Sequence, residues 1–183
     1  MKINVIGTSG SGKTTFGKKL ADTLDIPFLE LDAIFWGPDW SFPQDEELFP
    51  RLSAALEGEN WVLDGNYSRT LAVKWENVDI VIWLDYSFIR TVIQAFYRAI
   101  TRIITQEELW PGTGNRETFR KLFSRESILL WTISTFSRRR KKISEYLTAD
   151  EYTHIKFIRL KSPLRANQLL NKILQNPVYL EKN

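Results

Sequence analysis

Short apolar runs alternate along this chain with longer stretches in which apolar residues return every three or four positions. Ile3-Asn4-Val5-Ile6, Phe28-Leu29-Glu30-Leu31-Asp32, Trp61-Val62-Leu63-Asp64 and Ile80-Val81-Ile82-Trp83-Leu84 all have strand length. The last has no polar interruption, as a strand buried on both faces requires. His154 to Leu160 alternates instead, which suits a less buried strand at a sheet edge. Between these runs the period is helical. Phe16, Leu20 and Leu24 recur every four residues, and Leu48, Leu52 and Leu56 share one face of a helix expected from about Gln44. Its first turn carries Asp45, Glu46 and Glu47, as the helix dipole favours. Ile89, Val92, Ile93, Phe96, Ile100, Ile103 and Ile104 make a long stripe over Phe88 to Ile104, with Arg98 and Arg102 one turn apart on another face. Arg116 and Arg120 open a second helical stretch that runs through Leu129, Ile133 and Phe136 to the basic run Arg138 to Lys142, and a last helix spans Pro163 to Gln175. Strands alternating with helices predict an α/β protein with a parallel sheet.

The connection after the first strand is the most informative. Gly7-Thr8-Ser9-Gly10-Ser11-Gly12-Lys13-Thr14 fits the phosphate-binding loop pattern at every required position, between a strand and a helix N-terminus. Such a loop turns successive backbone N–H groups toward one point, where the helix dipole adds attraction for an anion. Gly7 through Thr15 are therefore the expected nucleotide cradle, with the Lys13 ammonium on the β- and γ-phosphates of ATP and the Thr14 hydroxyl as a ligand of Mg²⁺.

Composition adds limits. The 183 residues amount to one domain's worth of chain, and a 43% hydrophobic content is ample for a core. The chain has no cysteine, so neither disulfides nor thiolate metal sites are available. No run approaches transmembrane length and the first twenty residues lack a signal peptide's apolar core, so a soluble, cytoplasmic protein is expected. The net charge of +3 hides a division. Between Lys19 and Arg69 the only basic residue is Arg51, whereas Arg90 to Lys142 holds twelve Lys or Arg against four acids. A basic segment of that kind fits polyphosphate, nucleic acid or a solvated helix face.

Other residues are placed by the same logic. Asp32, at the end of the second run, is read either as a carboxylate facing the crevice beyond the strand ends or as a helix N-cap. Phe35, Trp36, Trp40 and Phe42 cluster around Gly37-Pro38, and packing on one another is expected ahead of walling a pocket. Asp64, at the end of a buried strand near the loop, is the expected partner of Mg²⁺, followed by Gly65 and by Arg69 in the same cleft. Arg51, isolated in the acidic half, is a candidate for an acceptor's anion. Two helices joined by Trp110-Pro111-Gly112-Thr113-Gly114, with arginines near their inner ends, are what a closing lid requires. Arg116 is the first expected lid cation, with Arg120 and Arg139 behind it.

With these elements in place, the sequence resembles the adenylate kinase and shikimate kinase group of P-loop phosphotransferases, and more narrowly the adenylate-kinase-related proteins known as DNA topology modulation proteins. The resemblance rests on Gly7 to Thr15, Leu31-Asp32, Trp61 to Thr70 and Gly114-Asn115-Arg116-Glu117-Thr118. It implies a single P-loop NTPase domain over residues 1–183, a three-layer α/β/α sandwich on a five-stranded parallel sheet of order 2-3-1-4-5. An acceptor-binding region at about 33–60 and a helical lid at about 98–142 complete it. By the same resemblance Asp64 helps hold Mg²⁺, Arg69 binds an acceptor phosphate and Asp32 contacts an acceptor hydroxyl. Tyr67-Ser68 stands where adenylate kinases have proline before that arginine, a departure from a nucleoside monophosphate site. The function expected is ATP- and Mg²⁺-dependent phosphoryl transfer to a nucleotide or a small hydroxylated molecule. The alternatives are a nucleotide-binding regulator associated with DNA topology, and a P-loop protein that binds ATP with little transfer.

Overall fold

A computed structural model describes residues 1–122 and 127–182. Its five strands are β1 (Lys2–Gly7), β2 (Phe28–Glu30), β3 (Trp61–Asp64), β4 (Ile80–Leu84) and β5 (Lys156–Leu160). All pair in parallel in the order β2-β3-β1-β4-β5, the order expected. The described helices are α1 (Lys13–Leu24), α2 (Leu31–Phe35), α3 (Asp45–Ala55), α4 (Leu71–Lys74), α5 (Phe88–Thr105), α6 (Phe119–Leu122), α7 (Ile128–Tyr146), α8 (Pro163–Gln175) and α9 (Tyr179–Lys182).

The two-residue period of the strands divides the core in two. Ile3, Val5, Val62, Ile80, Ile82 and Leu84 face one layer, where Phe16 and Leu20 of α1 and Leu169 and Ile173 of α8 cover them. Ile6, Leu63, Val81 and Trp83 point the other way and pack with Leu31, Leu52, Trp75 and Ile143. Both faces of the sheet are thus dry, which is why β4 reads as an unbroken apolar run. No described helix is long and apolar enough to cross a membrane.

Three details differ from the sequence reading. Strand β2 stops at Glu30, and Asp32 lies in the first turn of α2 rather than at a strand end. The reason is packing: Leu31 is fully buried and fills the space beside Gly65, where an added Cβ would stand 2.5 Å from the Leu31 Cβ. The second helical stretch is divided, with α6 and α7 on either side of residues 123–126, which lie outside the described residues. The basic run Arg138 to Lys142 sits inside α7, which continues to Tyr146.

Register levels the site. Glu30 pairs across from Asp64, and Asp64 across from Val5, so the ends of β2 and β3 and the start of the loop after Gly7 meet at one edge of the sheet. Ligands of open parallel sheets bind beyond that edge.

Candidate active site

The loop between β1 and α1 is held by glycines that no other residue can replace without strain. Gly12 caps α1 at φ 86°, and Gly10 sits at φ 84° with Thr91 O and Ala95 Cβ of α5 each 2.7 Å from where its Cβ would be. Helix α5 is therefore pressed against the loop. Ser11 N–H donates to Thr8 O at 3.0 Å, and the Lys13 ammonium donates to the same carbonyl at 3.3 Å. Across the loop, Asn66 Nδ2 donates to Gly7 O at 3.0 Å, tying the segment after β3 to the end of β1.

Thr14 and Asp64 meet beside Lys13. The Thr14 hydroxyl donates to Asp64 Oδ2 at 2.5 Å, while Asp64 Oδ1 is buried and has no hydrogen-bond partner among the described residues. Burial pushes the Asp64 carboxyl above its ordinary pKa, against the opposing pull of Lys13 and the Thr14 hydrogen bond. Burial lowers the Lys13 ammonium, which Asp64 and Asp32 resist and Arg98 and Arg139 reinforce. A hydroxyl and an orphaned carboxylate oxygen side by side are hard oxygen donors suited to Mg²⁺, a cation that takes one or two protein ligands and completes its shell with phosphate oxygens and water. The described residues hold no group of three or more His, Cys, Asp or Glu that would make an all-protein metal cage, in keeping with that division.

The loop opens into a cavity of about 350 Å³ whose far end is built from carboxylates and rings. Tyr67 Oη donates to Asp32 Oδ1 at 2.8 Å, and the Tyr67 ring stacks on Phe35 at 4.2 Å. Burial and the neighbouring Asp32 push the Tyr67 phenol well above its ordinary pKa, so it stays a donor. Glu30 accepts from Trp110 Nε1 at 3.3 Å, and burial raises its carboxyl. Trp110, from the loop after α5, stacks on Trp36 from the segment after β2 with centroids 5.8 Å apart. The rings expected to pack on one another do so, and Phe35, Trp36 and Phe42 wall the cavity as well.

Cations close the other sides. Arg98 Nη2 donates to Ser9 Oγ at 3.0 Å, which places a guanidinium from α5 on the phosphate loop, and Arg102 lines the same wall one turn later. Burial and Arg102 lower the Arg98 pKa. Arg139 of α7 lies over the Trp131 ring at 4.3 Å and donates to Asn66 Oδ1 at 3.4 Å.

Of the residues singled out from sequence, Ser9, Lys13, Thr14, Asp32, Asp64, Gly65 and Arg139 come together on this cavity. Thr15 is exposed on the first turn of α1. Arg51 pairs with Glu47 one turn away on the exposed face of α3. Arg69 is engaged behind the cavity wall, 3.0 Å from Asp45, donating to Pro43 O and lying 4.8 Å over the Phe35 ring. Arg116 is exposed and donates to Gln106 O, and Arg120 is exposed on α6; neither lines the cavity. Glu30, Tyr67, Arg98, Arg102 and Trp110 were not singled out as site residues. Only the Arg98–Arg102 pair had a visible signal, its one-turn spacing.

Comparison with known proteins follows this geometry. A family model described as shikimate kinase matches residues 9–36, which hold Lys13, Thr14 and Asp32. No curated protein matches the chain. Among solved structures, a shikimate kinase from Acinetobacter baumannii in complex with shikimate has a TM-score of 0.56 and 22% identity, covering 100% of this chain and 95% of its own. A shikimate kinase from Bacteroides thetaiotaomicron has a TM-score of 0.52 and 14% identity, with 96% and 97% covered. An unliganded sugar kinase from Janibacter sp. has a TM-score of 0.50 and 21% identity, with 95% and 92% covered. At such identities the likeness is one of fold: the chain has the P-loop kinase fold, with a shikimate-kinase-like segment at its phosphate loop.

Proposed function

We propose that the protein is an ATP- and Mg²⁺-dependent phosphotransferase whose acceptor is a small hydroxylated molecule. The observation that carries this reading is the convergence of Lys13, the Thr14–Asp64 pair and Asp32 on one cavity. These groups suit a two-substrate cleft in which Asp32, accepting from Tyr67, serves the acceptor beside the phosphate cradle.

In this reading the backbone N–H groups of the loop and the Lys13 ammonium bind the donor phosphates, while Asp32 orients the acceptor hydroxyl and takes its hydrogen. The hydroxyl oxygen forms a bond to the γ-phosphorus as the bond from that phosphorus to the β–γ bridging oxygen breaks, and ADP leaves. Thr14 and Asp64 would hold Mg²⁺, which would supply charge neutralisation to the donor phosphates when bound. Phosphoryl transfer passes through a loose transition state, so positioning and neutralisation outweigh strong base catalysis. Arg98 and Arg139 are the cations placed to supply that neutralisation.

The acceptor end favours a hydroxylated ring over a nucleoside monophosphate. Arg69, given to an acceptor phosphate by the resemblance, is committed to Asp45, and Arg51 to Glu47. What lines the cavity there are the carboxylates of Glu30 and Asp32 and the faces of Phe35, Trp36 and Trp110, with Arg98 and Arg139 near enough to act on Asp32. Carboxylates accept hydroxyl hydrogens, and flat apolar walls hold the face of a ring. We take residues 98–142 as the lid and the whole chain as one kinase domain. Gly112 and Gly114 in its tip, each in open space at φ 85° and 68°, give the tip its turns.

The test is a coupled ADP-release screen over neutral polyols, aromatic alcohols, nucleosides and nucleoside monophosphates. Turnover with a hydroxylated ring, lost in Lys13→Ala, is the expected result. Turnover confined to nucleoside monophosphates would overturn the acceptor assignment, and ADP release unchanged in Lys13→Ala would overturn the mechanism.

A further inference from the structure

A second cavity, of about 320 Å³, lies between the segment after β3, α4 and the C-terminal half of α7. It shares Asn66, Trp131 and Arg139 with the first, and none of its other lining residues belongs to the first cavity or to the phosphate loop. Four cationic side chains line it, Lys74, Arg138, Arg139 and Lys142, and none of its lining residues is acidic.

Lys74 is the unusual member. Its side chain is 1% exposed, and the ammonium spends one of its three donors on Gly65 O at 3.2 Å. A lysine ammonium is almost never fully buried without a carboxylate, because desolvation costs several kcal/mol that a lone carbonyl does not return. Tyr146 adds a second unspent group: its hydroxyl is buried without a hydrogen-bond partner among the described residues, while its ring is fixed edge-on to Trp75 at 5.4 Å. Lys142 lies 6.0 Å over that ring, which holds its ammonium on the cavity side.

We infer that this cavity is a second ligand site, for a compact small molecule bearing a phosphoryl or carboxylate group, seated on Lys74, Arg138, Lys142 and the Tyr146 hydroxyl. An oxyanion there satisfies the spare donors of Lys74 and Tyr146 together and balances the charge of α7. The volume is at the lower end of ligand pockets, about 300–1,000 Å³, which limits the ligand's size. The groups acting on Lys74 agree. Burial lowers its pKa to about 7, Arg139 and Lys13 push the same way, and only Asp64 opposes them among these neighbours. An anion in the cavity reverses this balance, so binding above pH 7 draws a proton onto Lys74.

The experiment is calorimetric titration of Lys13→Met, in which the phosphate loop has lost its own lysine, at pH 8 in two buffers of different ionisation enthalpy. Inorganic phosphate and citrate are the two probes, and whichever binds more tightly identifies the oxyanion. Saturable binding with proton uptake is expected, weakened at least tenfold when Lys74→Met is added. The pair Arg138→Gln and Lys142→Gln, both at exposed positions of α7, gives the same weakening and covers the case in which the Lys74 change impairs folding. Absence of saturable binding by either probe, or binding unaffected by the α7 pair, would overturn the proposal.

Discussion

The Thr14 hydroxyl donates to Asp64 Oδ2, joining the first turn of α1 to the end of β3 across fifty positions of sequence and leaving Asp64 Oδ1 buried without a partner among the described residues. That free oxygen is the feature best explained by a cation arriving with the nucleotide. Asp64→Asn is therefore expected to weaken activation by Mg²⁺ about 10–100-fold, the usual scale for groups that ligate or support a metal. A Mg²⁺ titration of turnover checks this, and an unchanged half-saturation would remove Asp64 from the site.

Gly10 has two independent reasons to be glycine, its positive φ and the closeness of α5. Gly10→Ala forces Thr91 and Ala95 outward and adds about 1–3 kcal/mol of backbone strain. Loss of most ADP affinity by calorimetry is expected, with a lowered Tm. Gly112→Ala serves as a contrast, since that position has the same kind of φ in open space and is expected to cost only stability.

Asp32 and Tyr67 separate orientation from chemistry. Asp32→Asn is expected to lower kcat by about 10²–10⁴, the range for a positioned acid–base group, with little change in ATP affinity. Tyr67→Phe removes one hydrogen bond to that carboxylate, a loss of about 1.5–3 kcal/mol for a charged acceptor, and so lowers kcat by a smaller factor. Equal losses in the two variants would show that Asp32 acts only as the partner of Tyr67.

Arg98 and Arg116 test which guanidinium serves the phosphates. Arg98 contacts Ser9 in the phosphate loop, whereas Arg116 is exposed in the loop after α5, where it donates to Gln106 O. Arg98→Gln is expected to lose at least about tenfold more kcat than Arg116→Gln, on the scale on which transferring-phosphate arginines act. The reverse ranking in steady-state kinetics would mean that Arg116 moves into the cleft during turnover.

Lys74 sets a pH dependence of stability. Its native pKa of about 7 lies below the ordinary 10.5, so between those values the unfolded chain binds more protons than the native one. Stability therefore rises with pH across that window, at up to about 1.4 kcal/mol per pH unit, and the burial penalty is carried in full below pH 7. Denaturant unfolding of the wild type and Lys74→Met from pH 6 to 10 should converge as pH rises. Parallel curves would place the Lys74 ammonium in water.

Much of this was legible in the chain itself. The phosphate loop is specified locally, because its glycines, Lys13 and Thr14 act within a few residues of one another at a strand-to-helix turn. The apolar periods fixed the five strands and the layers, since burial on both faces of a parallel sheet demands unbroken runs such as Ile80 to Leu84. Asp32 and Asp64 were visible for a related reason: Asp64 closes the buried strand β3, Asp32 lies two residues beyond β2, and the ends of parallel strands converge.

What the tertiary structure decided is which distant side chains turn toward the cleft. Arg51, Arg69, Arg98, Arg116 and Arg139 are alike as residues in a sequence. Asp45 and Glu47 engage Arg69 and Arg51, the loop after α5 carries Arg116 outward, and contact of α5 with Gly10 brings Arg98 onto Ser9. Trp36 and Trp110 stack from segments more than seventy positions apart, and the second cavity has walls from α4 and α7. Such pairings depend on helix packing and charge neutralisation across the fold. No local pattern encodes them, whereas the loop that begins at Gly7 carries its chemistry in its own spacing.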